Sequence, residues 1–359
     1  MEIVWLCILA FMFVMYAILD GFDFGAGMLD LFLAKEEQES MLIKRSIGPF
    51  WDGNEVWLVA SGGLLFMAFP KLYAAFFSGF YLPLMMVLWL IMGRGISLEL
   101  RNQVDNSLWK ALWDKLFGLS SLLLALIFGI AFGNVLRGVN LGGVENGVSL
   151  YESNFFFAPL WTDFVNPENP GVIDWFSLFI GLITVFTLMI HGGNWVILKI
   201  EGQFKTKIKR FIRKITVIVF LMMLLSFYFV HLVKPDIYSN FLENKFLLLL
   251  PLIGIIALLL NVIFQRAEKE LAAFLCSSIF IAGMFTSALA GIFPSLLPST
   301  NSINPDLTIY NVSASDYGLG VGLKWWIIGI ILILAYSFMV HWMYRGKIAN
   351  DKEIYKQYH

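Results

Sequence analysis

The sequence predicts an all-α polytopic membrane protein of nine transmembrane helices, two four-helix bundles plus one extra C-terminal helix, N-terminus outside and C-terminus inside. Three observations predict it. Hydrophobic residues make up 59% of the chain and charged residues only 14%, with a mean hydropathy of +0.76, a composition far from that of soluble domains. Apolar runs close to the about 20 residues that span a bilayer recur at 3–33, 52–69, 73–98, 115–136, 174–198, 212–233, 245–265, 271–292 and 322–344. With those spans and an outer N-terminus, only Lys71, Arg137, Lys234, Lys245 and Lys324 fall outside, and the other 20 of the 25 Lys and Arg collect inside, as short cytoplasmic loops require.

The spans divide the chain in order. Residues 1–136 form the first four-helix bundle, 137–173 an outer loop, 174–292 the second bundle, 293–321 a second outer loop, 322–344 the ninth helix and 345–359 a cytoplasmic tail. The first outer loop carries Glu145, Glu152, Asp163 and Glu168, and the second has the Pro, Ser and Asn content of an ordered loop. Met1-Glu2 lacks the basic start of a cleavable signal, so the first helix is expected to stay in the mature protein. Cys7 and Cys276 sit in apolar runs without metal-site spacing and read as buried packing thiols.

Acids inside spans are costly and mark functional positions. The organising stretch is 47–58, Ile-Gly-Pro-Phe-Trp-Asp-Gly-Asn-Glu-Val-Trp-Leu, where Asp52 and Glu55 open the second span on one helix face. In the first span Asp20, Asp23, Gly27 and Asp30 also share a face, so that stripe meets protein or water, while its glycines suit close helix packing. At about 1.5 Å per residue, Asp20 lies about 26 Å along the helix from Ile3, near the inner edge of a core about 30 Å thick. Asp52 opens its span from that side and Glu99 closes the third there, so three acids meet one level as a cytoplasmic proton or cation entrance. The plainer reading of Glu99 is a solvated helix end paired with Arg94 or Arg101. Glu55 is either a pathway member or a hydrogen-bonded structural acid, and Trp51 and Trp57 read as interfacial anchors.

Haem and hydrolytic chemistry find little support. Of His191, His231, His341 and His359, only His191 lies well inside a span, so no same-depth pair of axial ligands emerges and His191 reads as a hydrogen-bonded core residue. The 15 methionines scatter over many faces and suit packing. No phosphate loop, zinc spacing, HExxH or GxSxG occurs, and nothing implies nucleic acid. The basic run 199–214 is read as topology-setting charge rather than a site for anionic headgroups.

The stretches Asp20-Gly-Phe-Asp23-Phe-Gly-Ala-Gly27, Gly48-Pro-Phe-Trp51-Asp52-Gly-Asn54-Glu55-Val-Trp57-Leu, Ser78-Gly-Phe-Tyr81, Ala131-Phe-Gly-Asn134, His191-Gly-Gly with Leu198-Lys-Ile-Glu201-Gly, and Phe293-Pro with Leu297-Pro-Ser and Leu307-Thr-Ile-Tyr-Asn311 closely resemble subunit II of the cytochrome bd quinol oxidases. The resemblance runs from residue 3 to about 344. It implies a haem-free partner, binding no cofactor itself, in a bacterial cytoplasmic (inner) membrane complex whose subunit I carries two haems b and one haem d and oxidises quinol with O2. Partners implied are that subunit I, membrane lipid and quinone, with a small single-helix accessory subunit also compatible. The family's proton-route acids fall by motif on Asp20, Asp52 and Glu99, with Asp23 and Glu55 beside them and Arg94 and Arg101 as charge partners. Glu55 stands where relatives can show Gln, and Glu99 where some show Asp. The competing functions are a proton- or cation-coupled transporter, for which inverted repeats with broken midplane helices are missing, and a scaffold whose acids form static ion pairs.

Overall fold

A computed structural model describes residues 1–142, the short strands at 144–145 and 148–149, residue 164, and residues 171–300 and 304–348. Glu152, Asp163, Glu168, His359 and most of the 345–359 tail lie outside the described residues, as does the side chain of Glu145. The helices are α1 Glu2–Leu33, α2 Glu37–Ile47, α3 Trp51–Ala68, α4 Pro70–Gly79, α5 Tyr81–Leu100, α6 Ser107–Arg137, α7 Trp175–Lys199, α8 Gln203–Val233, α9 Ile237–Glu243, α10 Leu249–Arg266, α11 Glu270–Ile292 and α12 Asp316–Met343. Two small antiparallel ladders join β1 Val144–Glu145 to β2 Val148–Ser149 and β3 Ser295–Leu297 to β4 Leu307–Thr308. Eight helical segments among the described residues are long and apolar enough to cross a membrane: α1, α5, α6, α7, α8, α10 with the 3₁₀ turn before it, α11 and α12. The expected second span coincides with α3, which is not among the eight.

Each boundary has a local cause. The expected single span 73–98 is two helices, α4 and α5, broken at Phe80. Pro83 has no amide hydrogen and its ring collides with the carbonyl four residues back, at Gly79, so a continuous helix is lost there. Asn106 caps α6 by accepting from the amides of Leu108 and Trp109, starting that helix before the expected 115. Asp174 and Ser177 form a reciprocal capping box on α7. α8 starts at Gln203 rather than 212, because Phe204, Ile208, Ile212 and Ile215 recur at helical spacing and are buried; the basic run is one face of a helix.

The bundle is built around α1, in which every residue from Leu19 to Asp30 is buried. α1 packs against α3, α6 and α7, and α6 and α7 pack closely on each other. Contact between α1 and α7 depends on Gly25 and Gly192: a Cβ on Gly25 would lie 2.0 Å from the Leu188 carbonyl oxygen, and one on Gly192 2.5 Å from the Gly25 backbone. Cys7 is exposed, against the expectation of a buried thiol, while Cys276 is buried. It shares the outward stripe of α1 with Ile3, Val4 and Phe11. α12 buries only Leu319, Gly322 and Ile330 and presents Trp325, Leu332 and Phe338 outward.

The two long connections meet at one end. The Val139 amide donates to the Pro298 carbonyl, Thr300 donates to the Val139 carbonyl, and Asn304 donates to the carbonyls of Leu141 and Gly142. Beneath them Arg137 pairs with Asp174 at 2.6 Å and donates to Asn134 and the Gly171 carbonyl. At the opposite end Lys205 and Lys347 meet Glu270, Lys207 meets Glu39 and the Leu33 carbonyl, and Lys209 meets Glu268. Much of the basic run therefore ties helix ends together.

Candidate functional site

Arg94 is the centre of the site. On α5, Val87, Arg94 and Ser97 are buried and fall on one helical face, so the guanidinium enters the bundle with 0% of the residue exposed. A charge taken out of water costs several kcal/mol unless it is paired in good geometry. Arg94 donates through Nη1 to Asp20 Oδ1 at 2.5 Å and through Nη2 to Glu55 Oε1 at 3.1 Å. Its Cζ stands 4.6 Å from the centroid of the Phe24 ring, a further favourable contact for a cation. One guanidinium thus binds α1 to α3 through two carboxylates.

Asp23 is also fully buried but has a neutral partner. Asn54 Nδ2 donates to Asp23 Oδ2 at 2.8 Å and to the Leu19 carbonyl at 3.1 Å. Tyr16, one turn before Asp20, lies beside it. The site therefore holds three acids, Asp20, Asp23 and Glu55, against one arginine.

Exposure rises outward from this centre. The Glu55 side chain is 19% exposed; Asp52, one turn earlier on α3, is exposed and makes no ion pair among the described residues. Glu99 is exposed on α5, five residues beyond Arg94, or about 7.5 Å along the helix. Asp20 and Arg94 therefore lie further from the protein surface than Asp52 and Glu99. Neither expected ion pair of Glu99 forms, because Arg94 is taken by Asp20 and Glu55, and Arg101 holds Asp114 through Nε at 2.5 Å and Nη2 at 3.2 Å. Trp57 is buried rather than interfacial.

Sequence reasoning missed Asn54 as the partner of Asp23, although it sits inside the recognised motif. It also missed a second ionic group: Lys44 on α2 bonds Asp30 and Ser40, lies 2.6 Å from Asp114, and so links α1 and α6 to the Arg101–Asp114 pair. Asp30 was legible only as part of the α1 stripe, and Asp114 and Lys44 carried no local signal.

His191 uses both ring nitrogens within the protein. Nε2 donates to the Ile18 carbonyl and Nδ1 accepts from the Ser277 hydroxyl, each at 2.8 Å, and the ring stacks on Phe274 with centroids 4.8 Å apart. His341 Nδ1 donates to the Ser337 carbonyl. With both nitrogens engaged, His191 does not fit axial haem ligation, and no group of three His, Cys, Asp or Glu with metal-site geometry occurs among the described residues.

Fold and site together define a multi-pass helical membrane protein with a buried cluster of ionisable groups. The family model for cytochrome bd terminal oxidase subunit II matches residues 1–344, and the chain belongs to that family, making it a component of a terminal oxidase complex. It is 28% identical over 378 aligned positions to the cytochrome bd-I ubiquinol oxidase subunit 2 of Escherichia coli K12, covering 98% of this chain and 96% of that protein. It is 29% identical over 317 positions to the cytochrome bd ubiquinol oxidase subunit 2 of Bacillus subtilis 168, covering 88% of each. A chain in the structure of bd oxidase from Geobacillus thermodenitrificans has the same fold, with a TM-score of 0.72 at 10% identity over 96% of this chain and 98% of that one.

Proposed function

We propose that this chain is the haem-free subunit of a bd-type quinol:O2 oxidoreductase in the bacterial inner membrane, supporting the haem-bearing subunit and delivering protons to it from the cytoplasm. The supporting observation is the graded series from exposed Asp52 through part-exposed Glu55 to Arg94 and buried Asp20. Reduction of O2 consumes protons, and protons cross hydrocarbon by way of titratable groups and water. In this reading α3 is a ninth span, the N-terminus lies outside, and residues 1–136 and 174–292 act as two four-helix units with α12 added. The basic end bearing Lys205, Lys207 and Lys347 is then cytoplasmic. Haems, quinol chemistry and any small accessory subunit reside on partners.

The test is Asp52→Asn in the intact complex, with oxygen uptake and haem content measured together. Slower uptake at full haem content supports proton delivery, and unchanged uptake rejects it. The fully buried Arg94–Asp20 pair favours a second reading, a static brace. Under that reading Asp20→Asn lowers haem content and assembly in proportion to activity.

A further inference from the structure

The basic run 199–214 divides in two. Lys199, Lys205 and Lys207 turn inward, to the Tyr344 carbonyl, Glu270 and Glu39. Arg210, Arg213 and Lys214 on α8 are exposed, and the fold sets a second basic group beside them, on the turn 267–269 between α10 and α11. Arg213 Nη2 donates to the Gln265 carbonyl at 3.3 Å, and Lys209 meets Glu268 at 3.2 Å, so the turn and this face of α8 are in contact. Residues 209–214 and 266–269 together hold the bases Lys209, Arg210, Arg213, Lys214, Arg266 and Lys269 against one acid, Glu268. Arg210, Lys214, Arg266 and Lys269 are exposed and make no ion pair or side-chain hydrogen bond among the described residues. Elsewhere at this end charges are matched: Lys44 and Arg101 share Asp114, and Lys110 meets Glu37 and Asp105. The α8 patch is a local excess of positive charge with no counter-charge from its own elements.

Its depth is that of lipid headgroups. α8 has 31 residues, about 46 Å, whereas a hydrocarbon core about 30 Å thick takes about 20 of them. Counted back from Val233, the core begins near Lys214, and Arg210 and Arg213 stand just outside it. On the core side α8 exposes Val217, Leu221 and Leu224, and α10 exposes Ile263, Leu259 and Ile256. α8 packs on α7 and α10 on α11, while α8 and α10 touch each other only lightly. A phospholipid with net negative charge meets both surfaces in the right order. Its phosphate faces guanidinium forks that suit phosphate oxygens bidentately, and its chains follow the apolar rows.

We propose that the outer face of α8 and the α10–α11 turn form a binding site for one anionic phospholipid, whose phosphate offsets the gathered bases and ties the two elements together. That the lipid comes from the cytoplasmic leaflet rests on the orientation proposed above; its binding does not.

Native mass spectrometry of the intact detergent-solubilised complex, titrated with phosphatidylglycerol or phosphatidylcholine, tests the site. One phosphatidylglycerol should bind more tightly than any phosphatidylcholine of the same chains. At about fivefold per base near a membrane surface, Arg266→Gln should weaken that lipid about fivefold. Arg210→Gln/Lys214→Gln and Arg266→Gln/Lys269→Gln should each weaken it about 25-fold. None of these changes removes a side-chain bond within the protein, so the complex should assemble as before. Lys115→Gln, which removes an exposed base on α6, should leave the affinity unchanged. Glycerol phosphate at the same concentration should not displace the lipid, because only the lipid buries chains. Equal binding of the two lipids, or the same loss in Lys115→Gln as in Arg266→Gln, overturns the site and leaves diffuse topology-setting charge. Displacement by glycerol phosphate overturns the lipid in favour of a soluble anion.

Discussion

Replacing Arg94 by Met removes the cation and keeps most of the side-chain volume. Asp20 Oδ1 and Glu55 Oε1 both lose their donor, but the losses are unequal, because the Asp20 side chain is 0% exposed and that of Glu55 19%. Asp20 is left as an uncompensated buried charge, a change that costs about 3–5 kcal/mol, against a total stability of about 5–15 kcal/mol for a typical domain. Asp20→Asn is milder, since an amide oxygen still accepts from Nη1 and Glu55 keeps its bond; the weakened charge-assisted bond is worth about 1.5–3 kcal/mol. The double variant Arg94→Met/Asp20→Asn should be more stable than Arg94→Met alone, because the stranded charge is gone. Arg94→Lys should fall between, as an ammonium on a flexible stem lacks the planar fork that reaches both acids. The assay heats the detergent-solubilised complex in steps and follows the monodisperse, haem-retaining fraction by chromatography. An Arg94→Met complex within about 0.5 kcal/mol of the parent, the scale of a neutral surface change, or a double variant worse than the single, would refute the cluster as described.

Other substitutions probe the remaining contacts. Asn54→Leu strands the Asp23 carboxyl and should cost at least the about 0.6 kcal/mol average, up to about 1.7, of a polar contact between membrane helices, read as a lower midpoint in the same heating assay. Gly192→Ala forces α1 and α7 apart, since its methyl would meet the Gly25 backbone, and should cost about 1–3 kcal/mol or more, read as a lower yield of folded complex. His191→Leu should lower the amount of complex without altering the haem spectrum of what assembles; a missing haem band would overturn its placement as a hydrogen-bonded core residue. Asp174→Ala removes the α7 cap and the partner of buried Arg137, and the lost pair alone predicts about 3–5 kcal/mol of destabilisation.

Hydropathy made the long helices legible because a membrane helix declares itself by a continuous apolar run. It could not show where α4 yields to α5, since both sides of Phe80 are equally apolar and only Pro83 marks the break. It also clipped α8 at 212, because Lys205, Lys207 and Lys209 mask the buried series Phe204, Ile208 and Ile212. Asp20, Asp23 and Glu55 were legible as costly acids in costly places. Which base they met was not, because Arg94 stands five residues from Glu99 on the same helix and 74 from Asp20. Local proximity favoured the wrong partner, and the pairing was decided by which face of α5 turns inward.

That same face turns Arg94 inward to carboxylates from two other helices. Glu55 approaches it from α3, Asp20 from α1, and Gly93 beside it packs closely against Ser120 on α6. In the proton-delivery reading Asp52, Glu55 and Asp20 carry the proton, while the guanidinium, which stays charged, holds the last two carboxylates together. Asp52→Asn closes the entry of that route, so oxygen uptake should fall at full haem content. Asp20 lies further along the same route, so in Asp20→Asn the added Asp52→Asn change should slow uptake no further.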